Sequence, residues 1–511
     1  MSKMEIKQFQ KYIYFLLFIN GACSLVLEIL GGRVLAPYYS NTVFVWSGLI
    51  STALGFLALG YYLGGNSLIT NKYLLQAPFL TTGLAGIIIF IEFSFRHVII
   101  NFSDKFSFQL APVIASVLLF GIPFLVFGLL TPIAINLSND FKFKTKSISG
   151  KYFSVGTIGS LFGALVAVYW LIPNFAISQI IHGLSMLLIL VSVMGIGYKK
   201  ASFLIILLFL ILSLTLDLGD KYNDLITRDA TVLFETRDFY ADYALISYPT
   251  LTGDVFCLLI DSNMQGCVDS AARIDSYHSY VANVMNILPE KSDVLILGAG
   301  IGTYIKYWDD LGLNYDIVDI NPDAKKYANM AGVSLDEKRI KLVTSDARTY
   351  VRKSARRYDL IYNDLFGNVS PITSVYTNEF NKLVKSKLAD GGVFLTHAVG
   401  KSDGTDIFVN SVISTLKETF KYVGVLSADP MSQYSYVLIV ASEDDGLLKN
   451  INKDIISKSI NKKEQLVYTE AVNYSGDFVS DEKNPLDYYW AKNLSKYYSI
   501  DEFRSLFKKY I

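Results

Sequence analysis

The sequence predicts two architectures in series, an α-helical membrane bundle followed by a doubly wound α/β domain, and three observations carry that prediction. Charged residues are nearly missing between residues 12 and 218 and crowd into residues 219 to 511. Apolar runs close to membrane-crossing length recur through the first part. In the second part strands alternate with helical stretches, and a glycine-rich turn opens the series.

The bulk numbers agree. A chain of 511 residues exceeds one ordinary core, and 52% hydrophobic against 18% charged residues is not the balance of a soluble domain. Lys+Arg and Asp+Glu each number 46, which argues neither for a nucleic-acid surface nor for an acidic partner, and no nucleic acid is expected. Cys23, Cys257 and Cys267 are too few and too scattered for a disulfide framework or a zinc site, so no metal is expected. Residues 1 to 11 look like the start of a signal peptide. No small-residue cleavage site follows, however, and further apolar runs do, so the first run reads as a retained helix.

The expected spans run from Tyr12 to Leu30, Val43 to Leu63, Pro78 to Phe95, Ala111 to Leu137, Phe153 to Ile172, Ala176 to Gly195 and Ala201 to Leu218, about seven in all. Small residues recur within them at helical spacing. Gly55, Gly60 and Gly64 form one such set, and Gly156, Gly159, Ser160 and Gly163 another, a pattern that lets helix backbones approach closely. Glu28 with Arg33, and Glu92 with Arg96, are expected to pair locally near span ends; contact with a substrate or lipid is the alternative.

After residue 218 the pattern changes to strands. Val232 to Glu235, Tyr243 to Tyr248, Val255 to Ile260 and Met264 to Val268 read as a β region with a turn at Asp261-Ser262-Asn263. A helix carrying Tyr277, Tyr280, Val281, Val284 and Ile287 follows. Strands are then expected at Val294 to Leu297, Tyr315 to Asp319, Ile340 to Thr344, Leu360 to Asn363, Gly392 to His397 and Tyr436 to Ala441. This alternation means a mostly parallel sheet. The expected division is 1–218 membrane helices, 219–290 β-hairpin region, 291–445 nucleoside-binding domain and 446–511 a polar, helical extension, with Lys449 to Lys463 exposed.

The strongest local signal is the strand Val294-Leu295-Ile296-Leu297 running into Gly298-Ala299-Gly300-Ile301-Gly302. Glycines let the backbone turn sharply and approach a ligand, and a following helix would add its positive N-terminal end. The next strand ends in Asp319, placed to accept hydrogen bonds from ribose hydroxyls. The third leads to Asp346, placed to accept from an adenine amino group, with Ala347 beside it. Both acids could instead merely cap the following helices. The fourth strand delivers Asp364 to the carboxyl edge of the sheet, where a carboxylate can attract an amine and take its proton; capping the following loop is the alternative.

Together these residues resemble the spermidine synthase family from about Val232 to Ala441. The family's hairpin with Asp-Gly and a downstream Gln is similar to Asp261-Ser262-Asn263-Met264-Gln265, and its Tyr-His pair is matched by Tyr277-His278. Its ribose and adenine acids fall on Asp319 and Asp346, its catalytic aspartate on Asp364. Its Thr-x-Glu-Phe segment is echoed by Tyr376-Thr377-Asn378-Glu379-Phe380, and Leu388-Ala389-Asp390-Gly391-Gly392-Val393 also fits. The first half resembles the membrane region of bacterial fusions that carry such a domain, in Asn20-Gly21, Leu27-Glu28, Arg33 to Pro37 and Leu57 to Gly60.

The resemblance implies a Rossmann-like domain of the S-adenosylmethionine methyltransferase type. It further implies decarboxylated S-adenosylmethionine as co-substrate, an amine acceptor and release of methylthioadenosine. Gly298, Gly300, Gly302, Asp319, Asp346, Ala347 and Gln265 would hold the nucleoside, Tyr277 and His278 the acceptor, and Asp364 would be catalytic. The lipid bilayer and a second copy of the chain are the other expected partners.

Three positions depart from the family pattern. Ile301 stands where members carry an Asp for the cationic aminopropyl end, Gly367 where they carry a second acid gripping the diamine, and Ala241 where they carry a Gln. The acceptor is therefore expected to be unusual: large, apolar or presented by the bundle. Methyl transfer from S-adenosylmethionine itself, or a sensor or transporter that only binds the nucleoside, are the alternatives. Lysines at 3, 7, 11, 72, 142, 144, 146, 151, 199 and 200 favour an inside N-terminus. Seven spans would then put the second domain outside, whereas the co-substrate argues for the cytoplasm; the cytoplasmic side is expected, and Pro78 to Phe95 is the span most suspect.

Overall fold

The computed structural model describes residues 3–39, 42–66, 76–107, 109–140, 148–196, 230–237, 241–250, 253–261, 263–269, 281, 284–286, 288–302, 311–334, 338–365, 370–427, 435–446 and 467–497. The chain divides into two units, Met1–Asp224 with Arg237–Ala241 and Leu225–Thr236 with Asp242–Ile511.

Apolar runs without internal charge become helices in the first unit. They are α1 (Lys3–Tyr39), α2 (Val43–Gly65), α3 (Ala77–Ser94), α4 (Arg96–Ser103), α5 (Ala111–Asp140), α6 (Ile148–Val166) and α7 (Ile177–Ile196). A π-helical stretch, Ala167–Leu171, prolongs α6 toward Ile172–Asn174. Pro173 has no N–H to donate back up the helix, and the wider π turn is where the hydrogen-bond ladder absorbs that defect. Among the described residues, five helical segments are long and apolar enough to cross a membrane: Phe9–Tyr39, Val43–Gly65, Ala77–Ser94, Ala111–Asn139 and Ile148–Asn174. The suspect third span is among them. The sixth expected run contains a shorter apolar helix, Ile177–Val193, and the seventh, residues 201–218, lies outside the described residues.

Helices pack in pairs, α1 on α6, α2 on α5 and α3 on α7. Small residues make the pairing possible: a Cβ on Gly60 would stand 2.1 Å from the Leu125 carbonyl oxygen, and one on Gly128 2.5 Å from that of Leu57. Gly55, by contrast, faces open space. Hydroxyls cross the same seams, Ser160 donating to Gly21 O at 3.0 Å and Ser185 to Gly86 O at 2.7 Å. Leu161, Phe162, Leu165 and Trp170 are 62%, 53%, 51% and 57% exposed, a side that water would not favour and hydrocarbon would. The expected Glu92–Arg96 pair does not form. Arg96 donates to Phe93 O at 3.2 Å with its guanidinium 4.5 Å from the Phe93 ring, and Glu92 Oε2 is buried without a hydrogen-bond partner. Phe93 offers the cation a nearer carbonyl and a ring face at once.

The second unit opens with a four-stranded sheet in the order β1-β2-β3-β4, from β1 (Thr231–Arg237), β2 (Asp242–Thr250), β3 (Gly253–Ile260) and β4 (Asn263–Asp269). Asp261 turns β3 into β4 with a positive φ of 47°, and Cys257 lies opposite Cys267 across that hairpin, the two joined as a disulfide.

The main sheet has eight strands: β5 (Asp293–Leu297), β6 (Asn314–Asp319), β7 (Ile340–Thr344), β8 (Tyr358–Asn363), β9 (Leu388–Gly400), β10 (Tyr422–Ser427), β11 (Ser435–Ser442) and β12 (Val467–Glu470). Their order is β12-β10-β11-β9-β8-β5-β6-β7. The ladders from β7 through β9 are parallel, as expected; those from β9 through β12 are antiparallel, so the sheet is mixed. Described helices are α8 (Ala324–Met330), α9 (Ala347–Lys353), α10 (Asn378–Lys385), α11 (Ile407–Lys417) and α12 (Leu486–Tyr497). The chain runs from β5 outward to β7 and returns to β8 on the other side of β5. That reversal opens a crevice at the carboxyl ends of β5 and β8, where an open α/β sheet takes its ligand.

Candidate active site

Strand β5 is an unbroken buried run, Val294 through Leu297, because both its faces are covered. It ends in a turn that only glycine adopts easily: Gly298, Gly300 and Gly302 have φ of 103°, 50° and 74°. Gly298 is also held by space, since a Cβ there would stand 2.9 Å from the backbone oxygen of Asp364. Asp364 N–H donates to Leu297 O at 2.9 Å and Gly298 N–H to Val318 O at 2.8 Å, so the glycine turn is pinned between the ends of β6 and β8.

The strand-end acids occupy the expected places with more local partners than the sequence revealed. Asp319 accepts from the Ala299 N–H at 2.7 Å through one oxygen and from the Asn321 N–H at 2.8 Å through the other. It therefore ties the second strand end to the glycine turn. Asp346 is the N-cap of α9, accepting from Thr349 N–H at 2.7 Å, which is the capping role weighed above; its side chain is nevertheless exposed, and Ala347 beside it is buried.

Asp364 follows β8, whose last residue, Asn363, is buried and donates to Thr396 Oγ1 of β9 at 3.0 Å. Asn363 and Thr396 are register partners, so the next residues, Asp364 and His397, come side by side. Their nearest atoms, Asp364 Oδ1 and His397 Nδ1, are 3.7 Å apart, with side-chain exposures of 18% and 5%. Tyr376, ahead of α10, donates to the His397 carbonyl at 2.7 Å. Burial and, secondarily, the charge of Asp364 push the Tyr376 hydroxyl above the ordinary phenol range, which keeps it a donor. Thr377 caps α10 and also donates to Asp481 Oδ1 at 2.7 Å, while Asp481 pairs with Arg348 of α9. The neighbouring Thr-x-Glu-Phe segment is thereby clamped to the chain near residue 481.

Glycines 298, 300 and 302, Asp319 and Asp364 thus gather at one sheet edge. Asp346 stands at the end of the next strand but one, and Gln265 lies on β4 of the smaller sheet. Tyr277, His278 and Gly367 fall outside the described residues. Ile301 is 2% exposed and Ala241 5%, so apolar packing occupies two positions where charge or amide was expected from the resemblance. His397 and Tyr376 received no role from sequence reasoning. The signal for His397 was its place at the end of the expected strand Gly392 to His397.

Residues 274–447 match the family described as the spermine/spermidine synthase domain. A polyamine aminopropyltransferase 2 of Aquifex aeolicus is 25% identical over 455 residues, covering 83% of this chain and 84% of that protein, so the likeness reaches well into the helical half. A polyamine aminopropyltransferase of Korarchaeum cryptofilum is 30% identical over 146 residues, 27% of this chain and 44% of that protein. Among solved structures, a probable spermidine synthase from Corynebacterium glutamicum aligns over 49% of this chain and 97% of its own with a TM-score of 0.41 and 16% identity.

Proposed function

We propose, from the premise that residues 274–447 carry a spermine/spermidine synthase domain, that this protein is a membrane-bound aminopropyltransferase acting on an amine. The observation that carries the reading is Asp364, at the carboxyl end of β8 and against the Gly298 turn.

Decarboxylated S-adenosylmethionine is the co-substrate, and the residues present fit its nucleoside half. The positive-φ turn at Gly298, Gly300 and Gly302 admits a close ligand, Asp319 stands at the end of β6 against that turn as the acceptor for the ribose, and Asp346 with Ala347 offers an exposed acceptor for the adenine amine. Gln265, Tyr277 and His278 complete the proposed set toward the donor and acceptor. When bound, the sulfonium supplies an electrophilic carbon. The amine nitrogen forms a bond to that carbon as the C–S bond breaks, its electron pair passing to sulfur and leaving methylthioadenosine. Asp364 takes the proton that the nitrogen sheds, work for which a positioned base contributes about 10² to 10⁴ in rate.

Methyl transfer is the second reading, and buried Ile301 favours it, since no carboxylate stands there to hold an aminopropyl ammonium. The place of Asp364 at the carboxyl end of β8, where it can accept an amine proton, supports aminopropyl transfer more directly. Residues 1–218 are the membrane part, 219–290 the hairpin region, 291–445 the catalytic domain and 446–511 its extension. A cytoplasmic catalytic domain follows from the supply of adenosyl co-substrate, whereas the Cys257–Cys267 bridge argues for an oxidising side.

Asp364→Asn tests the assignment: it keeps shape and hydrogen bonding but cannot act as a base. By-product formation should collapse while calorimetric affinity for the adenosyl ligand stays within a few-fold of wild type. Near-normal turnover in that variant would reduce Asp364 to a loop cap.

A further inference from the structure

We infer that His397 is a positioning residue for Asp364, and that the two act as a carboxylate–imidazole pair whose protonation sets the acid limb of the reaction. The inference rests on the reading of Asp364 as the base that receives the acceptor's proton.

Three observations place the pair. Cross-strand register sets Asn363 opposite Thr396, and the hydrogen bond between them, 3.0 Å, fixes the ends of β8 and β9 against sliding. Asp364 and His397 are the next residue on each strand, and their side chains approach to 3.7 Å, just beyond hydrogen-bonding distance. Unliganded sites often hold such contacts long, tightening them only around substrate. Finally, the imidazole is 5% exposed and its backbone oxygen is held by the Tyr376 hydroxyl at 2.7 Å, so the ring is carried on a fixed support. From the end of β8 the imidazole is approached by Asp364, Tyr376 from the segment before α10 reaches the His397 carbonyl, and on β11 Leu438 lies opposite in register.

The consequences follow from charge. A neutral imidazole with its proton on Nδ1 donates to the carboxylate and orients it, leaving its basicity largely intact. An imidazolium holds the same carboxylate in an ion pair and weakens it as a base. Turnover should therefore rise as pH passes upward through the His397 titration. Asp364, being negative, should in turn raise the pH at which His397 titrates.

The full chain has 4 histidines, so ¹³C-histidine NMR can assign the His397 signal by its loss in His397→Asn. In wild type His397 should titrate roughly one pH unit higher than in Asp364→Asn. An unchanged titration, or a ring that does not titrate at all, overturns the pair without recourse to activity. In the kinetic arm His397→Asn restores a donor close to the Nδ1 position but cannot titrate. It should keep KM within about twofold and kcat within about fivefold, with the acid limb displaced to lower pH, while His397→Leu should lose roughly tenfold more in kcat.

In an Asp364→Asn background neither change should matter further. If Asn and Leu are equally impaired, or the acid limb does not move, His397 is only a packing residue. Wild-type protein that releases no methylthioadenosine with any amine, yet shows the coupled titration, would sink the aminopropyl reading and leave the pair standing.

Discussion

At Asp319 one carboxylate already accepts two backbone N–H groups, from Ala299 and Asn321, and in the proposed site it also receives the ribose hydroxyls. Asp319→Ala should weaken any adenosyl ligand by more than tenfold, as loss of charged hydrogen bonds worth about 1.5 to 3 kcal/mol requires. Calorimetry giving an unchanged Kd would remove the residue from the nucleoside site. Sequence reading placed Asp319, Asp346 and Asp364 because each lies at or just beyond the end of an expected strand. It gave no role to His397, whose meaning comes from register: only pairing of Asn363 with Thr396 brings the imidazole to the carboxylate. The Glu92–Arg96 pair failed for a related reason, since helical spacing permits an ion pair but does not exclude a nearer ring and carbonyl at Phe93.

Elements with strong periodicity were legible, and those held mainly by backbone pairing were not. Strands β5, β6 and β8 announce themselves as largely buried runs, whereas β12 is a four-residue edge strand, Val467–Glu470, too short to show a pattern of its own. Strand β10 went unrecognised, and with it the antiparallel side of the sheet. In the bundle, small residues at helical spacing marked the seams at Gly60 and Gly159 but not at Gly55, because spacing shows a stripe without showing which part of it meets a partner. Gly60→Leu should consequently lower the thermal midpoint of the detergent-solubilised protein by several degrees, while Gly55→Leu should leave it within a degree or so. Equal effects would deny the α2–α5 contact its role. The β3–β4 hairpin offers a test of sidedness. Mass spectrometry of membranes alkylated before lysis should find Cys257 and Cys267 as thiols if the domain is cytoplasmic, and a native bridge would place it on the oxidising side.

In the whole molecule a helical unit, with five segments among the described residues able to cross a membrane, shares one chain with an α/β unit in which residues 274–447 match the spermine/spermidine synthase domain. The protein should stay with the membrane pellet after alkaline carbonate and leave it only with detergent, since lipid is the medium that Leu161, Phe162 and Leu165 require. Recovery in the carbonate supernatant would contradict the membrane assignment. The central claim is the reaction, and the by-product reads it without knowledge of the acceptor. Purified full-length protein should be supplied with a mixed amine pool, once with decarboxylated S-adenosylmethionine and once with S-adenosylmethionine, and the released nucleoside identified by mass spectrometry. Methylthioadenosine from the decarboxylated donor, lost in Asp364→Asn, is the result predicted; S-adenosylhomocysteine from the other donor, with no methylthioadenosine, would contradict the account and make the protein a methyltransferase.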